Sequence, residues 1–412
     1  MDVKGAFLHG KFTDGEKIYM EVPIGWEKFY PPNVVLELKK TIYGLKQAAM
    51  AFWKELLKCM RDMNLKQSTA DPCLYYSWTN KGLVLLISWI DDNMIVGNSE
   101  IVKETKKELM ERFKCDNFGD SQEYIGCKID RDVESRSVKL TQPVLIQSFQ
   151  DEFELPGRDF TIPAPAGEEL ASDDDSDPLP PTGQTKYRSG VGKLLHLSKW
   201  SRVGILNRTR ELAKFMTNPR KSHMKALLCV LKYVVSTAEI GVTLQPKRRW
   251  DGKDKSFLFA ITRYGDANYV TDKETRRSVS GYCTLLEGAL VCAKSRQQRC
   301  VTLSTTEAEM MAMTDCVQDM MYTMRVVQSL ELKVKLPMVV HCDNKGAVDL
   351  VNGWTTSGRS RHVATKIMFL RELKDDGFIR VQWVPSDEMV SDVFTKNLGD
   401  KDFGRCTGQF ET

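Results

Sequence analysis

The sequence lacks the features that mark several large classes of protein. It contains no secretory leader and no apolar span long enough to cross a bilayer, so we expect an intracellular chain that is not secreted and has no membrane partner. Eleven cysteines are present, but they form no CxxC pair and no Cys/His spacing typical of zinc. We therefore expect reduced, mostly buried thiols rather than a disulfide framework or a zinc finger.

An excess of charge of one sign is also missing. The 59 lysines and arginines nearly balance the 55 aspartates and glutamates, which leaves a net charge of +4. Any attraction to nucleic acid must then come from local clusters of cations. A hydrophobic content of 42% over 412 residues is enough for two or more domains with cores, and it excludes fibrous and disordered classes.

The most informative segment is Leu83–Gly97, where two acidic residues interrupt an apolar pattern. One apolar run precedes Asp91 and Asp92, and a second run follows them. This pattern predicts two buried strands joined by a tight bend. Adjacent carboxylates repel each other unless a cation lies beside them, and Mg²⁺ prefers carboxylate oxygens together with substrate phosphates. The segment therefore indicates phosphoryl chemistry on a nucleotide or nucleic acid, with an ordinary solvated turn as the alternative.

A third acid, Asp2, opens a series of motifs near the start of the chain. In order, the series comprises Asp2–Gly10, Ile18–Pro23, Leu38–Ala48, Trp89–Asp92 and Tyr124–Gly126. In this order the segments resemble the reverse transcriptase of copia-type LTR retrotransposon Pol polyproteins. Several ordered motifs are more specific than any single one, and the resemblance continues over nearly the whole chain.

The resemblance implies a polymerase palm in which three acids hold two Mg²⁺ ions. These acids are Asp2, Asp91 and Asp92. The implied substrate-binding residues are Phe7, Lys46 and Gln47. Of these, Phe7 would exclude a 2′-hydroxyl on the sugar of the incoming deoxynucleoside triphosphate, while an RNA template and a DNA primer are the implied partners. Since the motifs begin at the first acid, we expect an incomplete palm whose finger strands are missing.

The middle of the chain differs in composition from both ends. Proline and acidic residues are concentrated between Ile162 and Gln184, which predicts a solvated linker and motion between the parts on either side. The segment that follows reads as mostly helical and carries a cluster of cations. These are Arg208, Arg210, Lys214, Arg220, Lys221 and Lys225. They either contact phosphates without reading sequence or form an ordinary charged helix surface.

The last third contains four more acids in four predicted elements. Asp266 follows a strand-like run, Asp343 ends another, and Asp392 lies in a late helix. Glu309 lies in the opening turns of a helix that begins with a capping-box spacing. In this order the acids resemble those of the ribonuclease H domain fused to copia-type reverse transcriptases. The resemblance implies that all four hold a second pair of Mg²⁺ ions and hydrolyse RNA in an RNA:DNA hybrid. No histidine lies between Val384 and Asp392, so we expect proton transfer to rely on solvent. His362 is the candidate substitute, but we expect a structural role for it.

We therefore expect an α+β chain divided into five parts. The parts are an incomplete reverse transcriptase palm at 1–153, a Pro/acidic linker at 154–186, a helical thumb or connection at 187–250, a ribonuclease H-like mixed-sheet domain at 251–400 and a tail at 401–412. The expected function is two-metal phosphoryl transfer and RNA hydrolysis by a retrotransposon-derived polymerase fragment. The resemblance implies a location in cytoplasmic virus-like particles, with the nucleus as an alternative. The competing hypothesis is a catalytically inactive remnant that folds and binds nucleic acid without turnover.

Overall fold

The computed structural model describes residues 1–12, 15–155, 160–171, 175–353 and 364–412. The chain forms two units. The first comprises Met1–Ser121, Trp250–Lys255 and Ser329–Glu331, and the second comprises Gln122–Arg249, Ser256–Gln328 and Leu332–Thr412. His362 and parts of the predicted linker lie outside the described residues. No helix in the described ranges is both long and apolar enough to span a membrane.

The first unit combines two helices with short antiparallel strands. In chain order its elements are β1 (Asp2–Val3), β2 (Tyr19–Glu21), β3 (Val35–Glu37), α1 (Ala48–Asp62), β4 (Lys66–Gln67), β5 (Leu74–Thr79), β6 (Gly82–Trp89), β7 (Asp92–Val96), α2 (Ser99–Arg112) and β8 (Cys115–Asp116). The main sheet has the order β4-β5-β6-β7-β1-β8, and β2 pairs with β3 separately. The very short β1 is therefore an inner strand, which places the acid it carries between two neighbouring strands.

The two helices cover the sheet through regularly spaced apolar residues, as the sequence predicts. Phe52, Leu56 and Met60 recur every four residues along α1 and are almost fully buried. Ile101 and Leu109 of α2 belong to the same core. The α+β arrangement of this unit is thus built on one apolar cluster between helices and sheet.

The predicted acid hairpin is formed by β6 and β7. Trp89 pairs with Asp92, so Ile90 and Asp91 form the turn. Ile90 has a φ of 58°, a left-handed conformation that is unfavourable for a β-branched residue. Asp91 therefore lies in a strained bend, and Asp92 is the first residue of β7.

The second unit is larger and contains a helical part and a mixed sheet. Its elements are β9 (Glu123–Tyr124), β10 (Cys127–Asp132), β11 (Ser137–Thr141), α3 (Pro143–Phe153), α4 (Pro181–Trp200), α5 (Leu206–Ala213), α6 (Lys221–Ser236), β12 (Val242–Leu244), β13 (Leu258–Phe259), β14 (Ile261–Asn268), β15 (Val279–Leu286), β16 (Ala289–Gln297), α7 (Thr305–Ser329), β17 (Lys333–Val334), β18 (Met338–Cys342), α8 (Lys345–Asn352), α9 (Ala364–Asp375), β19 (Ile379–Trp383) and α10 (Asp400–Thr407). The sheet β12-β11-β10-β9 is antiparallel, and β13 pairs with β17.

The five-stranded sheet of this unit has the order β16-β15-β14-β18-β19. Strands β14, β15 and β16 are antiparallel, whereas β18 and β19 run parallel to β14. The predicted turn at Glu287 and Gly288 joins β15 to β16, with φ values of 52° and 86° that suit a tight hairpin connection. This sheet, covered by α7, agrees with the mixed sheet expected for the last third of the chain.

The expected solvated linker packs against the second unit instead. Phe160, Ile162, Leu170 and Leu179 contact an apolar core to which α3, α4 and α6 contribute. The prediction was based on the high content of proline and acidic residues and did not consider these apolar side chains. Their burial offsets the entropy lost when the segment is ordered. The expectation that this segment does not pack is therefore wrong for its described residues.

Of the two alternatives for the cation cluster, contact with phosphates does not apply to Arg208, which is buried. Arg208 is 1% exposed and pairs with Glu168 and with Glu211, the latter at 3.0 Å. Lys214 pairs with Asp272 at 2.9 Å. These cations neutralise acids of the same unit, and a buried guanidinium cannot reach a phosphate.

Candidate functional site

Four acids of the second unit approach one another from four separate elements. Asp266 lies on β14, Glu309 near the start of α7, and Asp343 directly after β18. Asp392 lies in the 3-10 helix Val390–Phe394, which corresponds to the late helix predicted from the sequence. Because β14 and β18 are parallel neighbours, the acids that they carry approach each other at the same end of the sheet.

The ligand atoms at this end form two overlapping groups. Carboxylate oxygens of Asp266, Asp343 and Asp392 lie within 4.8 Å of one another, and so do those of Glu309 and Asp343 together with Sγ of Cys342. Asp343 belongs to both groups. All four acids singled out from the sequence are thus brought together, with two neighbouring places where a cation could bind.

Burial and mutual repulsion destabilise the ionised form of these acids. Burial raises the pKa of Glu309 well above its usual value, and the charges of Asp266 and Asp343 raise it further. Burial likewise raises the pKa of Asp266 and that of Asp343. Carboxylate oxygens are the hard donors that Mg²⁺ prefers, so the four acids fit the expected ion.

Two residues one turn beyond Asp392 also contact the acids. The hydroxyl of Thr395 donates a hydrogen bond to Asp266, and Lys396 Nζ lies 2.7 Å from Asp392 Oδ1. The sequence analysis missed both roles. The four-residue spacing from Asp392 to Lys396 is a signal that could have found the second one.

The turn that carries Asp392 packs directly on the sheet at Gly281 of β15. Gly281 is the cross-strand partner of Asp266. A Cβ at this position would lie 2.5 Å from Cγ2 of Thr395 and 2.8 Å from Cβ of Phe394. Only glycine permits this close approach, so Gly281 sets the distance between two of the acids although its own chemistry is inert.

Asp343 is held from the far end of β19. Ser386 Oγ donates a hydrogen bond to Asp343 Oδ2 at 2.9 Å, and Trp383 Nε1 donates one to the Asp343 backbone carbonyl at 2.8 Å. The side chain is therefore oriented before any ligand binds.

Ser386→Ala is expected to weaken Mg²⁺ binding to the second unit by about tenfold to a hundredfold, because partners that orient a ligating carboxylate contribute about this much. Isothermal titration with Mg²⁺ measures the effect. Ser386→Thr, which keeps the hydroxyl, is the matched control and should retain most of the affinity. Equal affinity in the alanine variant and the unmodified chain would show that the hydroxyl does not position Asp343.

In the first unit, the three palm acids are neighbours in the sheet. Asp2 pairs with Asp92 of β7 on one side and with Asp116 of β8 on the other, and the backbone N–H of Val3 donates to the carbonyl of Asp91 at 3.0 Å. Burial raises the pKa of Asp2, and the three other acids raise it further. Asp116 is an acid that the sequence analysis did not single out. Among the described residues, the two groups of three closely spaced ligand atoms both lie in the second unit. The palm acids are neighbours, but their oxygens do not form a group of this kind.

The expected substrate-binding residues also lie in the first unit. The ring of Phe7 has its centroid 5.0 Å from that of Tyr43. Gln47 Nε2 donates a hydrogen bond to Glu16 Oε1 at 2.8 Å, and Lys46 is exposed. Their predicted contacts with a nucleotide stay predictions.

Comparison with known proteins supports the interpretation of the motifs. Residues 1–165 match the family described as reverse transcriptase (RNA-dependent DNA polymerase). The chain is 30% identical over 415 aligned positions to the retrovirus-related Pol polyprotein from transposon TNT 1-94 of Nicotiana tabacum, an alignment that covers 98% of this chain and 30% of that protein. It is 27% identical to the corresponding polyprotein from transposon RE1 of Arabidopsis thaliana, over 97% of this chain and 26% of that protein. The chain thus spans less than a third of the length of these relatives.

Among solved structures, the N-terminal RNase H domain of a Mycobacterium tuberculosis protein, fused to maltose-binding protein, aligns with 36% of this chain and 96% of that chain. Sequence identity is 12% and the TM-score is 0.26. At this level of similarity, the comparison does not establish the fold of the second unit. The interpretation of the second unit is based instead on the order of its strands and on the positions of the four acids.

Proposed function

We propose that this chain is a reverse transcriptase and ribonuclease H segment of a copia-type transposon polyprotein, whose second unit hydrolyses the RNA strand of RNA:DNA hybrids and whose first unit provides a polymerase palm. The match of residues 1–165 to the reverse transcriptase family and the similarity to two transposon Pol polyproteins support the proposal. The observation that carries the proposal is the convergence of four acids from four elements. These are Asp266, Glu309, Asp343 and Asp392.

In the nuclease, the four acids would hold two Mg²⁺ ions, with Asp343 belonging to both ligand groups. Bound Mg²⁺ activates water and stabilises charge on the attacking and leaving oxygens of a phosphodiester. Thr395 and Ser386 keep the carboxylates of Asp266 and Asp343 oriented through their hydrogen bonds. The sequence has no histidine between the end of β19 and Asp392, so we assign proton transfer to solvent. Groove shape and 2′-hydroxyl contacts would select the hybrid.

In the palm, Asp2, Asp91 and Asp92 would hold the metal ions for attack of the primer 3′-hydroxyl on a deoxynucleoside triphosphate. The pairing of Asp2 with Asp92 supports this assignment. The proposed nucleotide contacts are Phe7, Lys46 and Gln47. An RNA template, a DNA primer and a place in a cytoplasmic virus-like particle, with the nucleus as the alternative, complete the proposal, as the resemblance to copia-type Pol polyproteins implies.

The test is cleavage of a labelled RNA:DNA hybrid by the purified chain. We expect RNA fragments with Mg²⁺ and none with EDTA, and Asp343→Asn should lower the rate by about a hundredfold or more, since metal ligation contributes several kcal/mol to such transition states. Single-stranded RNA and a DNA duplex of the same sequence are the matched substrates that should resist cleavage. Equal rates for Asp343→Asn and the unmodified chain would reject the assignment.

The same assay distinguishes the inactive remnant. Hybrid binding that weakens with salt, without any Mg²⁺-stimulated cleavage, would select a protein that binds nucleic acid through its phosphates and does not turn over. Retention of all seven proposed metal ligands, Asp2, Asp91, Asp92, Asp266, Glu309, Asp343 and Asp392, favours the active enzyme.

A further inference from the structure

One lysine lies inside the acid cluster of the second unit. Lys396 Nζ is 2.7 Å from Asp392 Oδ1 and 3.5 Å from Asp266 Oδ2, and the backbone N–H of Lys396 donates to the Asp392 carbonyl at 2.9 Å. The ammonium therefore bridges two carboxylates that are far apart in the sequence. About a third of the side chain is exposed, at 35%.

We infer that Lys396 is a resident cation of the nuclease site, which compensates the acids in the metal-free protein and competes with one of the two metal ions. The inference rests on the proposed function, because it concerns the ions that the nuclease would use. It adds a positioning residue that controls how tightly each ion binds.

The two ligand groups differ in their relation to this ammonium. Both carboxylates that Lys396 contacts belong to the group of Asp266, Asp343 and Asp392. The other group, Glu309 and Asp343 with Cys342, contains neither of them. Competition is therefore confined to one cation position, and the two ions should bind with unequal affinity.

Charge and access both favour displacement of the lysine over coexistence. A divalent ion ligated by Asp266 and Asp392 would lie close to the ammonium, where two positive charges repel strongly in a partly buried site. The exposed part of the Lys396 side chain gives it a route toward solvent, since long lysine stems readily extend their charged ends into water. Binding of the second ion should thus require Lys396 to leave both carboxylates.

The test is titration with Mn²⁺, a spectroscopically visible substitute for Mg²⁺. All chains carry Asp91→Asn and Asp92→Asn, so that the palm acids do not contribute. We expect one stronger and one weaker binding event, and Lys396→Met should tighten the weaker event by about tenfold or more by removing the competing charge. Lys401→Met, at an exposed lysine of α10, is the matched control and should change neither event.

A second readout, without metal, separates this role from a general structural one. In EDTA, Lys396→Met should lower the melting temperature because the acids lose their compensating cation, and added Mn²⁺ should restore it. Lys396→Arg retains the positive charge, so its melting temperature in EDTA and its affinity for Mn²⁺ in the weaker binding event should match those of the unmodified lysine. Unchanged Mn²⁺ affinities in a folded Lys396→Met chain would overturn the inference and leave the proposed nuclease intact. No Mn²⁺ binding by any of these chains would overturn both.

Discussion

Glu309→Gln should lower Mg²⁺-dependent hybrid cleavage by about a thousandfold or more and, at the same time, raise the melting temperature of the metal-free protein. The loss of activity follows because a proposed ligand of the ion is removed, and such ions stabilise the transition state by several kcal/mol. Glutamine keeps the shape of the side chain and its capacity to accept the hydrogen bond from the backbone of Ala267.

The gain in stability follows from the charges around Glu309. The side chain is 6% exposed, and Asp266 and Asp343 both disfavour its ionised form. A neutral amide at this position removes that repulsion at every pH at which Glu309 would be ionised. Each kcal/mol regained in a unit of this size should raise the melting temperature by about 2–4 °C, which calorimetry in EDTA can detect. A variant that loses both activity and stability would contradict the assignment of Glu309 to a repulsive, metal-binding cluster.

The pH dependence of stability provides an internal control for Glu309→Gln. Because the pKa of Glu309 is raised on folding, the folded state binds more protons than the unfolded state, and the free energy of unfolding falls as pH rises. The destabilisation caused by ionised Glu309 is absent at pH values below the ordinary carboxyl pKa and is complete above the raised pKa of Glu309. In EDTA, the melting temperature of the unmodified chain should therefore fall as pH rises above the ordinary carboxyl pKa, and that of Glu309→Gln should fall less.

Gly281→Ala should cost about 1–3 kcal/mol of stability and reduce cleavage by about a hundredfold, although the residue carries no functional group. The new Cβ would lie 3.0 Å from the backbone carbonyl carbon of Phe394 as well as against Thr395. A backbone atom cannot move aside in the way that the end of a flexible side chain can. The turn carrying Asp392 must therefore move away from the sheet, and Asp392 moves away from Asp266 with it.

The adjacent strand offers a matched control for Gly281→Ala. Gly265 on β14 pairs with Tyr282, the residue after Gly281, and a Cβ there would meet Cys316 Sγ at an ordinary contact distance of 3.4 Å. Gly265→Ala should thus be tolerated in thermal unfolding and in the hybrid assay. Similar losses in both variants would mean that glycine is needed for strand conformation, and not for the approach of the turn.

Patterns that depend on local chemistry were predictable from the sequence. The hairpin around Asp91 and Asp92, the start of α7 before Glu309 and the strand that ends at Asp343 all follow from periodicity and capping. The order of the acids along the chain then indicated that they meet. Each of these signals lies within a few residues of the position it concerns.

Features that depend on which elements meet were not predictable in this way. The approach at Gly281, the hydrogen bond from Ser386 to Asp343 and the burial of Arg208 each join residues that are distant in sequence. The packing of the proline-rich segment was missed for the same reason, since its apolar residues find their partners only in the folded core.

The order of the elements that carry the four acids also determines when the acid cluster can assemble during synthesis. Thr395 and Asp266, which share a hydrogen bond, are 129 residues apart, and contacts of such long range form only after the intervening chain exists. A nascent polypeptide that has emerged only as far as β18 lacks Asp392 and Thr395, so its acid cluster is incomplete.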